Sequence, residues 1–309
     1  METSLRVPIS GTAERVVRAV SAAGGCALVV GGVVRDAALG LPAKDVDLEA
    51  YGLVPAELRR VLEEAGLKVS LVGESFAVLK VRDEHGDAVD VNLPRTESKS
   101  GRGHRGFEVA ADPWLDVPVA LRRRDFTFNA MAWDPLTGEL IDPYGGLEDL
   151  RRRCLRATSE RFVEDPLRVL RGMQMAARFD LELDPGTRSM CERMRVEYDE
   201  LSIERIWAEW EKWGRLGDRP SRGLGLLRET GWVSLHPQLA ATIDCRQEPE
   251  WHPEGDVWSH TLLVCDAAAS IARRDGLSGD RRVTLLLAAL AHDLGKPETT
   301  FRDEQGRLR

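Results

Sequence analysis

Residues 28–49, Leu-Val-Val-Gly-Gly-Val-Val-Arg-Asp-Ala-Ala-Leu-Gly-Leu-Pro-Ala-Lys-Asp-Val-Asp-Leu-Glu, restrict the possible folds of this chain more than any other stretch. The apolar, β-branched run from Ala27 to Val30 reads as a buried strand, and Gly31-Gly32 lets the backbone turn tightly and approach a ligand before a helix begins. Backbone N–H groups at a helix start attract anions, and the donor fork of Arg35 suits phosphate oxygens. Asp45 and Asp47 stand two apart in a β-prone segment, which turns both carboxylates to one sheet face where they can hold a divalent metal. Singly, a Gly-Gly pair is most often a turn and an Asp-X-Asp most often solvated surface; in this order and spacing they are far more specific.

At 309 residues the chain is long enough for two or three domains, and 43% hydrophobic with 30% charged residues marks an ordinary soluble globular protein. No apolar run reaches membrane-spanning length, and Met1-Glu2-Thr3-Ser4-Leu5-Arg6 lacks the charged and apolar regions of a signal peptide, so the expectation is cytoplasmic and free of membrane. Five cysteines, at 26, 154, 191, 245 and 265, form no Cys-X-X-Cys pair, which argues against a disulfide framework and a thiolate zinc site. A net charge of −8 argues against indiscriminate coating of nucleic acid, although Arg122-Arg123-Arg124 and Arg151-Arg152-Arg153 give local basic clusters. No obligate protein partner is evident.

In chain order, Ala13, Val16, Val17 and Val20 fall at helical spacing, ending at Gly24-Gly25, and Pro55 opens a second helix that Gly66 closes. Strand-like runs follow at Lys68 to Val72, Ala77 to Val81 and Ala88 to Leu93, with His85-Gly86-Asp87 as the turn of a hairpin. Asp90 lies in the third run, where taken alone it could be a strand-edge aspartate. Thr96 to Ala111 is polar, glycine-rich and without periodicity, and reads as a mobile loop. Beyond about residue 155 strand signals give way to helices. Asp165 suits an N-cap and Pro166 the first position of a helix. Ser202 suits the cap of a helix carrying Ile206, Trp210 and Trp213, a stripe more in keeping with core than with base stacking. Leu224 to Leu239 continues helical, and Arg246 to Gly255 reads as a polar linker.

Gly31-Gly32-Val33-Val34-Arg35-Asp36 followed by Asp45-Val46-Asp47 resembles the nucleotidyltransferase head of tRNA CCA-adding enzymes and bacterial poly(A) polymerases. Arg123-Arg124-Asp125-Phe126-Thr127-X-Asn129-Ala130-Met131 matches the second motif of that family nearly letter for letter. The resemblance implies an α+β fold: a polymerase-β-like head with a mixed sheet over residues 1–155, an all-α neck and body over 156–250, and the start of an HD domain over 251–309. It implies template-independent addition of C and A from CTP and ATP to the tRNA 3′ end, with two Mg²⁺ ions on Asp45 and Asp47. Asp90, five before Arg95, fits the third carboxylate. By the same resemblance Gly31, Gly32, Arg35 and Arg124 hold the triphosphate, Asp125 and Asn129 order the sugar end, and the 96–111 loop assists the switch from C to A.

Glu164-Asp165-X-X-Arg168 stands where the family reads the nucleobase, with Arg171 following; Gln174 replaces a further arginine common in bacterial members. Asp165 and Arg168, spaced i, i+3, share a helix face, and an acceptor beside a donor complements the amino and ring-nitrogen edges of cytosine and adenine. At the C-terminal end His260 and His292-Asp293-Leu294-Gly295-Lys296 resemble an HD phosphohydrolase, implying an additional divalent metal on His260, His292 and Asp293. The further aspartate of such a site does not appear before Arg309, so the expectation is a domain cut short or degenerate. Rival expectations are a CC-adding or A-adding specialist, a poly(A) polymerase, and an HD phosphohydrolase whose head only binds nucleotide.

Overall fold

The computed structural model describes residues 5–42, 46–71, 78–99 and 107–308. The chain packs as two compact units, Met1–Arg152 with Ala157–Glu164, and Arg153–Arg156 with Asp165–Arg309.

The first unit is built on a mixed seven-stranded sheet of order β3-β4-β5-β2-β1-β8-β9. Its strands are β1 (Cys26–Val30), β2 (Asp47–Tyr51), β3 (Lys68–Leu71), β4 (Val78–Arg82), β5 (Ala88–Asn92), β8 (Ala132–Trp133) and β9 (Leu140–Ile141). Within this sheet β2 and β5 run parallel and the other neighbours antiparallel. Helix α1 (Gly11–Ala22) starts at Ser10, whose Oγ accepts from the Ala13 amide at 3.3 Å, and buries Ala13, Val16, Val17 and Val20. Gly31, at φ +80°, makes the turn from β1 into α2 (Gly32–Ala38), a conformation that L side chains rarely adopt. Helix α3 (Pro55–Glu64) starts on Pro55 as expected. Asp83 forms the β4–β5 turn by accepting from the amides of His85 and Asp87 at 2.9 and 3.0 Å.

Three sequence expectations change on folding. Thr96 to Ala111 is not featureless: β6 (Arg95–Lys99) pairs antiparallel with β7 (Phe107–Ala111), while residues 100–106 lie outside the described residues. The run Arg95-Thr96-Glu97-Ser98-Lys99 has no apolar alternation to betray a strand; its pairing comes from backbone bonds. The second change concerns α6, treated below. Helix α4 (Val117–Leu121), a short 3₁₀ turn at Thr127–Asn129 and α5 (Gly146–Arg151) complete the unit.

The second unit contains β10 (Cys154–Leu155), paired parallel with β11 (Glu182–Leu183), and a set of helices. These are α6 (Leu167–Phe179), α7 (Pro185–Met194), α8 (Ile203–Leu216), α9 (Pro220–Glu229), α10 (Pro237–Ala240), α11 (Val257–Arg274), α12 (Gly279–Ala291) and α13 (Lys296–Thr299). Helix α6 packs against α8 and α9, and α11 against α12. The α6–α9 crossing is close enough that a Cβ on Gly223 would stand 2.5 Å from the Met173 carbonyl oxygen. Trp213 is fully buried with its indole N–H donating to Pro220 O at 3.1 Å, so the tryptophan stripe is core. Leu224 to Leu239 is broken rather than continuous, because Gly231 at φ +72° ends the α9 segment before α10.

Candidate active site

At the head, β2 and β5 are aligned so that Asp47 and Asp90 are direct register partners on parallel strands, roughly 4.8 Å apart by sheet geometry. Asp47 is exposed at the strand start, and Asp45 lies outside the described residues. Two carboxylates held side by side repel unless a cation joins them, and hard oxygen ligands suit Mg²⁺, so the donor set fits the metal that the resemblance implies.

The glycine turn lies next to this pair on β1, whose register sets Val30 opposite Asp47. A Cβ built on Gly31 would stand 2.7 Å from Arg124 Nη1, and one on Gly32 would stand 3.2 Å from Arg35 Nη2. Both glycines therefore leave room for arginines. Arg35 is buried at 4% exposure: its Nη1 donates to Asn129 Oδ1 at 2.6 Å, and its Nε and Nη2 to Asp36 Oδ1 at 2.9 and 2.7 Å. Asn129 Nδ2 in turn donates to Asp125 Oδ1 at 3.0 Å, which also accepts from the Phe126 amide at 2.8 Å. Arg35, Asn129 and Asp125 thus form one buried chain of hydrogen bonds joining the two motifs across 94 positions of sequence. In this arrangement Arg35 braces Asn129 through that bond.

In the second unit, α6 begins at Leu167 with Pro166 at the cap, one residue later than the sequence suggests. Asp165 still serves the helix start, since its Oδ1 accepts from the Leu167 amide at 3.0 Å. Its other oxygen, Oδ2, accepts from Arg205 Nη2 of α8 at 2.9 Å. Arg168 and Arg171 follow on the half-buried side of α6, while Gln174 is buried at 3% exposure.

A further cluster joins α11 to the end of α12. Asp293 Oδ2 lies 3.8 Å from His260 Nε2, 3.2 Å from His292 Nε2 and 2.8 Å from Lys296 Nζ, none of them in aligned hydrogen-bond geometry. A buried carboxylate oxygen facing two imidazole nitrogens fits a divalent cation. On its far side, His260 Nδ1 approaches Glu254 Oε1 at 2.6 Å, and His252 Nδ1 approaches the same oxygen at 3.1 Å. A backbone hydrogen bond, with the two imidazoles, holds the Glu254 carboxyl at about 2, so it is ionised and can only accept. Nδ1 of His260 therefore carries the proton, and Nε2 presents its lone pair toward Asp293 and His292. A cavity of about 880 Å³, lined by Arg228, Arg246, His252, Glu254, Arg302 and Arg307, opens beside the cluster.

Residues 27–156 match the family described as the poly A polymerase head domain, and residues 257–307 match the HD domain. The multifunctional CCA protein of Stenotrophomonas maltophilia strain R551-3 is 41% identical over 277 residues, covering 87% of this chain and 63% of that protein. The chain thus joins a poly A polymerase head domain to an HD domain. The multifunctional CCA protein of Laribacter hongkongensis strain HLHK9 is 40% identical, over 88% of this chain and 63% of the relative. The chain thus spans a little under two thirds of the length of these relatives. Among solved structures, the CCA-adding enzyme of Bacillus stearothermophilus in complex with CTP is 26% identical, with a TM-score of 0.60 over 91% of this chain and 78% of that one. The apo form II of a CCA-adding enzyme shares the fold, with a TM-score of 0.64 at 20% identity, over 94% of this chain and 64% of that one.

Sequence reading missed several residues that the structure draws up to the candidate ones. Glu49 and Tyr51 lie behind the arginines of the head, Arg205 holds Asp165, and His252 and Glu254 stand behind His260. Strand alternation signals that Glu49 shares the face of Asp47, and the pair His252-X-Glu254 was visible in what read as a linker.

Proposed function

We propose that the chain transfers nucleotides from CTP and ATP to the 3′ end of tRNA without a template. The observation that carries this reading is the Asp47–Asp90 register pair beside a glycine turn that leaves space for Arg124. Asp45, Asp47 and Asp90 are assigned the divalent metals, Mg²⁺ by ligand chemistry, which when bound supply charge neutralisation and a more acidic 3′ hydroxyl. Asp90 completes the site as a metal ligand or as the acceptor of the hydroxyl proton. Gly31 and Gly32 admit the triphosphate close to the backbone, Arg124 meets its oxygens, and Asp125 and Asn129 keep the sugar end fixed through the bond to Arg35. Asp165, just ahead of α6, and Arg168 and Arg171, on its half-buried side, read the base edge.

The test is incorporation of labelled CTP and ATP, separately and together, into tRNAs ending before C, CC and CCA. Completion of CCA from all shortened tRNAs is expected; addition stopping at CC, addition of A alone, or a long A tail identifies a specialist or a poly(A) polymerase instead. Asp47→Asn and Asp90→Asn each lower kcat by at least about 10³-fold with the fold retained, as loss of metal-centred charge stabilisation requires. Activity of either variant equal to the parent would sink the two-metal assignment.

A second reading, phosphate-ester hydrolysis at the HD domain, is favoured by the arginine-lined cavity beside His260, His292 and Asp293. Phosphate release from a small ester without tRNA, lost in Asp293→Asn, is its test.

A further inference from the structure

Two positions beyond Asp47 on β2, the Glu49 carboxylate is buried to 1% exposure, a location that an ionised group tolerates only with donors and cations around it. The Tyr51 hydroxyl donates to Oε1 at 3.0 Å, while Nη2 of Arg124 and Nη2 of Arg123 lie 3.5 and 3.7 Å from Oε2. Burial and then the Glu49 charge push the Tyr51 hydroxyl far above the usual tyrosine range, so it remains a donor at any physiological pH. Tyr51 belongs to the hydrophobic cluster of Leu28, Val30, Leu121 and Ala132, which fixes its ring and, through it, the carboxylate.

These contacts have a direction. Asp47, Glu49 and Tyr51 alternate along one strand and so share one sheet face, with Glu49 opposite Leu28 of β1, one turn of the pleat from the glycines. The arginine separations of 3.5 and 3.7 Å are ion-pair distances rather than paired short bonds, so the carboxylate draws the guanidinium without consuming its fork. Arg124 Nε has no hydrogen-bond acceptor among the described residues, and Arg124 Nη1 lies against the Gly31 position. An arginine held in this way has already lost the rotamer freedom that phosphate binding would otherwise take from it.

We propose that Glu49 is the positioning residue for Arg124: its buried carboxylate, anchored by Tyr51, holds the guanidinium over the glycine turn before a triphosphate arrives. The proposal rests on the nucleotidyltransferase reading of the head. Its signature is a contribution to phosphate affinity that is blind to the base and passes through Arg124.

The test is equilibrium binding of CTP, ATP and inorganic tripolyphosphate to the full chain, with incorporation kinetics alongside. Glu49→Gln, nearly isosteric, weakens all three by the same factor, about tenfold, and raises KM for CTP and ATP more than it lowers kcat. In an Arg124→Ala background Glu49→Gln produces no further loss, since residues acting through one another are not additive. Unchanged or tighter tripolyphosphate binding in folded Glu49→Gln overturns the proposal, and so does a loss that persists undiminished beside Arg124→Ala. A merely structural carboxylate lowers Tm and leaves the affinity of the folded fraction at the parent value, which also overturns it. If Glu49→Gln does not fold, Glu49→Asp keeps the charge and withdraws it by one methylene; about threefold weaker tripolyphosphate binding is expected, and parental affinity refutes positioning. A parent that binds nucleotides yet extends no tRNA refutes the nucleotidyltransferase reading instead, while the binding comparison still decides the role of Glu49.

Discussion

Gly31 carries two demands that only glycine meets. Its φ of +80° is strained for any other residue, and a Cβ there would stand 2.7 Å from Arg124 Nη1. Gly31→Ala is therefore expected to cost about 1–3 kcal/mol of stability and to displace Arg124, weakening ATP and CTP by roughly tenfold. Thermal melts and nucleotide titrations check both parts. At this scale the grouping of residues was legible in part: Asp47 with Asp90, and Gly31 with Arg124, announce themselves by type and spacing and stand together in the fold. The packing around Arg35 and Glu49 was not. A sequence shows an arginine beside a glycine turn, but only packing shows that Arg35 is 4% exposed and bonded to Asn129. Likewise alternation gives the face of Glu49 and not its burial, which depends on β1, β2 and the arginines of a distant motif coming together.

Elements fix what single residues can do. The start of α6 presents Asp165 with one oxygen on the Leu167 amide and the other on Arg205 of α8. Arg205→Ala, at a residue not itself expected to meet the base, should loosen that carboxylate and reduce discrimination of CTP and ATP against UTP and GTP by about 3- to 30-fold. Ratios of kcat/KM across the four nucleotides measure it, and parental ratios would show that α8 has no part in orienting Asp165. Behind α8, His236 is packed edge-on against Trp210 and Tyr198, with ring centroids at 5.3 and 5.8 Å. Burial lowers its pKa, so the unfolded state binds the proton more readily than the folded state. Stability is thus complete above the unfolded value, near 6.5, and falls as the pH drops below it toward the lowered folded value. His236→Phe should remove that part of the slope, seen as a smaller loss of Tm between neutral and mildly acidic pH. Element boundaries were legible where apolar period or a cap residue marked them, as at α1 and α3. They were hidden where pairing is polar, as in β6, or where a strand has only two residues, as in β8 and β9.

Across the whole molecule, the carboxylates of the head and the imidazoles of the HD domain fall in different compact units, each with its own candidate metal ligands. Glu254→Gln should therefore lower affinity for a divalent transition metal at the HD cluster by about 10- to 100-fold, because it releases the His260 tautomer, while nucleotide addition by the head persists. Metal titration calorimetry beside tRNA extension distinguishes this from a general loss of fold. No helix among the described residues is long and apolar enough to cross a membrane, in keeping with the hydropathy of the sequence.

The strand that ends in the glycine turn, β1, lies between β2 and β8, pairing with Asp47–Tyr51 on one side and with Ala132 and Trp133 on the other. During synthesis β2 follows β1 almost at once, but β8 leaves the ribosome about 100 residues later, roughly 5–20 s at ordinary elongation rates. Until then the backbone groups along one edge of β1 have no ladder partner, and that edge is open to the wrong neighbour. The residues that close it arrive directly behind Arg124, Asp125 and Asn129. Closure of the sheet edge and the meeting of Arg124 with the glycine turn therefore both wait for residues 124–133 of the nascent chain.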